Sequence, residues 1–123
     1  VPELSREVKV MVRRGDEFLV LLRCEADGGY WHVVAGGVEA DETYAQAARR
    51  ELREEIGLDA EPVDLARTYV YDVEVEVHAF LVDVPLGWEP TLNDEHDEYR
   101  WCPPTEAAAR LHWPETRELV SEL

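Results

Sequence analysis

Acidic residues at fixed spacings dictate how residues 36–58 can fold. Gly36, Glu42, Arg50, Glu51, Leu52, Glu54, Glu55, Gly57 and Leu58 follow the pattern G-x5-E-x7-R-E-U-x-E-E-x-G-U, with U aliphatic. Thr43 followed by Gln46 has capping-box spacing and predicts a helix from Thr43. Gly57 suits the left-handed residue that ends one, so the helix should reach about Ile56. Wound at roughly 100° per residue, Glu51, Glu54 and Glu55 share one narrow arc. Ala45, Ala48, Leu52 and Ile56 form an apolar stripe that should pack on a sheet, while Gln46, Arg49 and Arg53 point to solvent. Ala47 is expected beside the carboxylates, its small side chain leaving room for a ligand.

Like charges on one helix face repel, at a few tenths of a kcal/mol per pair. Arg50 offsets part of this, and a hard divalent cation offsets more, because Mg²⁺ or Mn²⁺ prefers clustered oxygen ligands. Such an ion also polarises phosphate oxygens and acidifies a bound water. The competing account is a solvated acidic helix held by Glu–Arg pairs. The register of Gly36, Glu42 and Gly57 with the three glutamates favours the metal site.

The charge count excludes some partners. Twelve Lys and Arg against 28 Asp and Glu leave −16, which argues against a nucleic-acid-binding module. A phosphate substrate would have to meet a bound metal first. Eleven of the twelve basic residues are Arg and only Lys9 is Lys, a bias that a GC-rich genome explains. At 123 residues the chain suits one domain, residues 1–123. No apolar run approaches the ~20 residues a bilayer demands. Val1-Pro2-Glu3 shows neither the basic nor the apolar region of a signal peptide. Cys24 and Cys102 are too few for a disulfide framework, fit a reducing cytoplasm and are read as buried small hydrophobes.

Val8, Val10 and Val12 alternate with Lys9, Met11 and Arg13, predicting a half-buried strand, and Gly15-Asp16 predicts a turn. Phe18 to Leu22 reads as a central strand covered on both faces. A short strand is expected over Trp31 to Ala35, then two more over Val63 to Tyr71 and Val73 to Val84. An acid-rich loop, Pro85 to Asp97, leads to a strand near Tyr99 to Cys102. Thr105 should cap a short helix to about Leu111, and a last helix should start near Pro114. Together these predict a three-layer α/β arrangement.

The 36–58 pattern resembles the Nudix box at every required position, and the flanking order of elements is similar to the Nudix family over most of the chain. The resemblance implies an α/β/α sandwich with a mixed central sheet and a Mg²⁺- or Mn²⁺-dependent hydrolase of pyrophosphate bonds. It implies metal ligation by Gly36 through its carbonyl and by Glu51, Glu54 and Glu55, with Gly37 close to the phosphates. Arg50 would orient Glu51 with help from Glu42, a role compatible with a purely structural salt bridge. Glu54 or a distant loop carboxylate would act as base, Glu95 first and Glu98 second, with His96 a hydrogen-bonding loop residue.

Glu95-His96-x-x-Tyr99-x-Trp101 and Tyr30-Trp31-His32 are similar to segments of dihydroneopterin triphosphate pyrophosphatases and diadenosine polyphosphate hydrolases. Tyr30, Trp31 and His32 are therefore substrate candidates, and Tyr69, Tyr71, His78 and Phe80 lie on strands able to line a pocket. Trp88, Trp101 and Trp113 are assigned to packing. Val34-Ala35-Gly36 stands where the diadenosine hydrolases carry Pro-Lys-Gly, which disfavours a dinucleoside substrate. The expected partner is a small nucleotide-type substrate, (deoxy)nucleoside or pterin triphosphate before dinucleoside polyphosphate, with no nucleic acid or membrane and a homodimer left open. The rival reading is a Nudix-fold module that binds nucleotide without catalysis.

Overall fold

The computed structural model describes residues 5–123; the Val1-Pro2-Glu3 start read for a leader lies outside them. Strand β1 (Ser5–Arg14) turns at Gly15 into β2 (Glu17–Arg23). A 3-10 turn over Glu25–Asp27 leads to β3 (Trp31–His32) and β4 (Val34–Gly37), and helix α1 (Tyr44–Ile56) follows. Strands β5 (Val63–Tyr71), β6 (Val75–Asp83) and β7 (His96–Cys102) precede helices α2 (Pro104–Arg110) and α3 (Pro114–Glu122). Among the described residues no helix is long and apolar enough to cross a membrane.

The sheet is mixed and open. β1 runs parallel to β6 and antiparallel to β4 and to the end of β2; β2 also pairs β3 and β7, and β5 closes the other edge on β6. Side-chain parity then sorts residues between two cores. Val8, Val10, Val12, Leu19, Leu21, Phe80 and Val82 face α1, which buries Ala47, Ala48, Leu52 and Ile56 completely. Met11, Phe18, Val20, Ala79 and Leu81 face α2 and α3 through Ala107, Leu111, Leu119 and Val120. Full burial of Leu52 and Ile56, at roughly 1.5–3 kcal/mol each, fixes the roll of α1 about its axis.

Four expectations need correction. β1 is not half-buried: Lys9 and Met11 are as enclosed as the valines because α3 roofs the second face, and the Lys9 Nζ donates to Thr116 Oγ1 at 2.9 Å. Thr105 lies inside α2 rather than capping it; Pro103 occupies the cap and Pro104 starts the helix, where a missing N–H costs nothing. Ala47 is fully buried in the core and leaves no space for a ligand.

Val73, expected to begin β6, instead sits in the β5–β6 turn. Asp72 and Val73 have φ of 54° and 51°, and the Glu74 N–H reaches the Tyr71 carbonyl at 3.3 Å. A β-branched residue in that region is strained, and this one is 84% exposed, so it gains no packing in return. Val73→Gly should therefore stabilise the protein by about 1 kcal/mol, a rise in melting temperature of about 3–6 °C. A lower melting temperature in a thermal-denaturation scan would show that the turn carries no such strain.

Candidate active site

Helix α1 is pinned at both ends. Thr43 Oγ1 accepts from the Gln46 N–H at 3.1 Å and Gln46 Oε1 accepts from the Thr43 N–H at 2.9 Å, completing the capping box. Gly57 closes the helix at φ 71°, its N–H reaching the Arg53 carbonyl. With the roll set by Leu52 and Ile56, Glu51 and Glu55 turn inward, 8% and 1% exposed, while Glu54 stays at the wet rim. Gly36 on β4 gives Glu51 its place: a Cβ there would lie 2.2 Å from the Glu51 carboxylate.

Arg50 organises the rim. Its Nε and Nη2 donate to both Glu42 oxygens at 2.7 and 2.9 Å, its Nη1 to Glu51 at 2.8 Å and Glu54 at 3.1 Å, and its Nη2 to the Gly37 carbonyl at 2.8 Å. The two-pronged bond from Arg50 holds the Glu42 carboxyl down to about 2, and the same bond raises the Arg50 pKa. One guanidinium thus fixes β4, the loop before α1 and two of the three box glutamates.

Glu55 has no such partner. Among the described residues both its carboxylate oxygens are buried without a hydrogen bond, and so is His96 Nε2, 3.6 Å away. Burial first, and then the Glu51 and Glu95 carboxylates, push the Glu55 pKa well up. Asn93 Oδ1 accepts from the Glu95 N–H and lies 3.0 Å from His96 Nδ1, so Nδ1 carries the proton and Nε2 offers a lone pair toward Glu55. Burial lowers the His96 pKa to about 4, so the imidazole is neutral. Ligand atoms of Glu55, Glu95 and His96 all lie within 4.8 Å of one another. Orphaned acceptors with no donor fit a divalent cation, and the carboxylate-rich set suits Mg²⁺ or Mn²⁺. His96 thus makes its expected loop bond through one nitrogen and faces the acidic cluster with the other.

Two neighbouring hollows lie beside this cluster. A cleft of about 310 Å³ is lined by Gly36, Gly37, Glu51, Glu54 and Glu95, together with Glu7 and Arg23. Glu7 and Arg23 also border a narrow cavity of about 60 Å³, where Lys9, Tyr30, His32, Tyr71 and Trp113 converge. Tyr30 and His32 therefore line this cavity, but Trp31 does not. Strand alternation turns it to the opposite side, beneath the Arg100 and Arg110 guanidiniums at 5.9 and 5.4 Å. Phe80 is in the core, His78 stacks on Tyr44 at 3.5 Å, and Tyr69 lies under Lys9 at 5.2 Å. Glu98 pairs with Arg100 outside the cleft.

Sequence reasoning missed Glu7, Lys9, Arg23 and Trp113. The signal for the first two was a polar pair on alternate positions, flanking and within the run from Val8 to Val12 of β1. Trp113 carried none, since a loop before α3 meets the cavity only through tertiary packing. Cys102 is buried as expected, whereas Cys24 is half-exposed and donates its thiol to Asp27 at 3.1 Å.

Comparison with known proteins places this geometry in context. The NUDIX domain model matches residues 3–123. The chain is 38% identical over 128 residues to the octanoyltransferase of Myxococcus xanthus, across 97% of this chain and 36% of that protein. It is 33% identical over 106 residues to the CTP pyrophosphohydrolase of Escherichia coli (strain K12), across 81% of this chain and 76% of that one. The chain thus spans little more than a third of the first relative, 36% of its length. Among solved structures, the E. coli dihydroneopterin triphosphate pyrophosphohydrolase superposes with a TM-score of 0.84 at 25% identity, covering 99% and 97% of the two chains. A C. elegans Ap4A hydrolase shares the fold, with a TM-score of 0.82 at 24% identity over 94% and 93%. Box, sheet and family match agree, and the chain belongs to the NUDIX domain family.

Proposed function

We propose that this domain hydrolyses a phosphoanhydride bond in a nucleoside or pterin triphosphate, or in a related nucleoside diphosphate derivative, with a divalent cation held by Glu51 and Glu55. One observation carries the reading: buried acceptors on Glu55 and His96, without donors, beside a cleft that ends on two glycines. The names of the relatives support it, since one is a CTP pyrophosphohydrolase and one fold neighbour a dihydroneopterin triphosphate pyrophosphohydrolase.

The Gly36 carbonyl, Glu51, Glu55 and Glu95 would hold Mg²⁺ or Mn²⁺, which when bound neutralises phosphate charge and acidifies water. Gly37 lets the polyphosphate approach the backbone, and Arg23 waits at the junction of cleft and cavity, its Nε bound only to the Asp27 carbonyl at 3.1 Å. Water attacks phosphorus, the bridging P–O bond breaks, and the leaving phosphate or pyrophosphate departs with the bridging oxygen. Glu54, at the rim and steadied by Arg50, takes the proton of the attacking water. Glu95 lies with the buried acceptors, so the ligand set suits it better than the base role first expected.

The assay is release of phosphate or pyrophosphate from nucleoside and pterin triphosphates with Mg²⁺ or Mn²⁺. Glu51→Gln and Glu55→Gln should each lower kcat at least about 100-fold, or roughly 2.7 kcal/mol of barrier. Glu54→Gln should lower kcat while Mn²⁺ affinity persists, and Glu95→Gln should weaken Mn²⁺ binding. Full turnover in the Glu55→Gln protein would end the proposal.

Stability offers a readout independent of turnover. A carboxyl with a raised folded pKa contributes fully below its unfolded value of 4.5 and loses that contribution as pH rises toward the folded value. In the presence of a chelator, Glu55→Gln should melt about 3–6 °C above the wild type at pH 7–8, the two converging near pH 4–5. Mn²⁺ should then raise the melting temperature of the wild type but not of the variant. An unchanged wild-type melting temperature in saturating Mn²⁺ contradicts the metal assignment.

A further inference from the structure

The narrow cavity beside the cleft holds charged groups that the hydrolytic chemistry does not use. Lys9, 3% exposed, is the lone lysine of the chain and sits on β1 two residues from Glu7, with Glu115 of α3 on the same cavity wall. Its Nζ spends one donor on Thr116 Oγ1 at 2.9 Å, leaving two for a ligand. His32, also 3% exposed, lines the cavity with an Nδ1 that has no partner. At the mouth, Tyr71, Trp113 and Glu115 are shared with a wider recess of about 360 Å³. The Tyr71 and Trp113 rings stand 6.1 Å apart at 36°, and Tyr30 meets Trp113 edge-on at 6.0 Å. The enclosed part admits the edge of a flat ring, and the recess between the aromatic side chains admits its body.

We propose that this cavity reads the substrate's heterocycle, Lys9 and Glu115 selecting a ring with an oxo group beside an N–H and an amino group, the edge that guanine and pterin share. The assignment rests on the hydrolase reading only for where the phosphates lie. An ammonium can only donate and a carboxylate can only accept, so the pair demands one acceptor next to two donors. An oxo oxygen meets Lys9, while the ring N–H and the exocyclic amino group meet the two Glu115 oxygens. Glu7 is committed elsewhere, accepting from the Tyr71 hydroxyl at 3.1 Å. Adenine and cytosine bring an amino group to the ammonium, donor against donor. Uracil sets a carbonyl against the carboxylate. Each mismatch sets like against like, at the buried Lys9 or the partly exposed Glu115, and leaves a charged group unpaired, a loss that gives discrimination.

The test compares wild type, Lys9→Met and Glu115→Gln on GTP, dihydroneopterin triphosphate, ATP, CTP and UTP with Mg²⁺. A parallel titration follows tryptophan fluorescence with the β,γ-imido analogues of GTP and ATP. The wild type should favour the guanine and pterin substrates by about tenfold or more in kcat/KM. Both variants should bring that ratio toward unity through KM, with kcat little altered. Lys9→Met keeps the volume and removes a buried charge, and Glu115→Gln tests the same edge from a partly exposed position, so loss of folding in one leaves the other informative. A wild-type preference for adenine or a pyrimidine, or variants that slow all five substrates equally, overturns the assignment. Cleavage blind to the base sinks this inference and spares the hydrolase reading. Lys9-dependent binding of the GTP analogue over the ATP analogue without any cleavage does the reverse, and neither cleavage nor selective binding sinks both.

Discussion

Two carboxylates side by side on one buried helix face are the condition around which the rest of this molecule is arranged. Glu51 and Glu55 are one turn apart on α1 and both nearly inaccessible to water. Like charges in so dry a place repel, and each has lost hydration. The fold answers them unequally. Glu51 receives Arg50 at 2.8 Å and a bed of glycine backbone at Gly36. Glu55 receives nothing but a neutral imidazole and a third carboxylate. A structure that satisfies one acid and abandons its neighbour has left a place for something positively charged.

That asymmetry depends on precision in the surrounding elements. α1 cannot roll, because Leu52 and Ile56 are locked in the core, and it cannot slide, because the capping box and Gly57 fix both ends. β4 cannot drift, because Gly36 and Gly37 are paired with Val8 and Glu7 of β1 and Arg50 grips the Gly37 carbonyl. The same β1 carries Lys9 into the neighbouring cavity, so one strand sets the spacing between the carboxylate cluster and that cavity. Glu7 and Arg23 border both hollows.

What the sequence made legible divides along a physical line. Local rules sufficed for α1: a cap, a stop glycine, an apolar stripe and an acidic arc are all properties of one helix and its 3.6-residue period. The strands were found for the same reason, and β5 was placed to the residue. Failures came wherever a second element decides the outcome. Alternating Val and polar residues in β1 signal one wet face, yet α3 covers that face and dries Lys9. Trp31 and His32 are adjacent in sequence and part company in space, because neighbouring strand residues face opposite ways. Trp113 was assigned to packing, but its position at the cavity mouth comes from the turn between α2 and α3 meeting β5.

The acidity of the chain sharpens the argument about what enters. At −16 the molecule repels polyphosphates from a distance, by a field that salt screens over about 10 Å. Most arginines do nothing to relieve this at the cleft, since Arg13, Arg49, Arg67, Arg100 and Arg110 are paired with carboxylates on other surfaces. Arg50 is spent on Glu42, Glu51 and Glu54. Arg23 and Lys9 line the cavity beside the cleft without a carboxylate salt bridge among the described residues: one donates to a backbone carbonyl and the other to a hydroxyl. Attraction is therefore local. An anion gains nothing until it is within a few ångströms of Arg23.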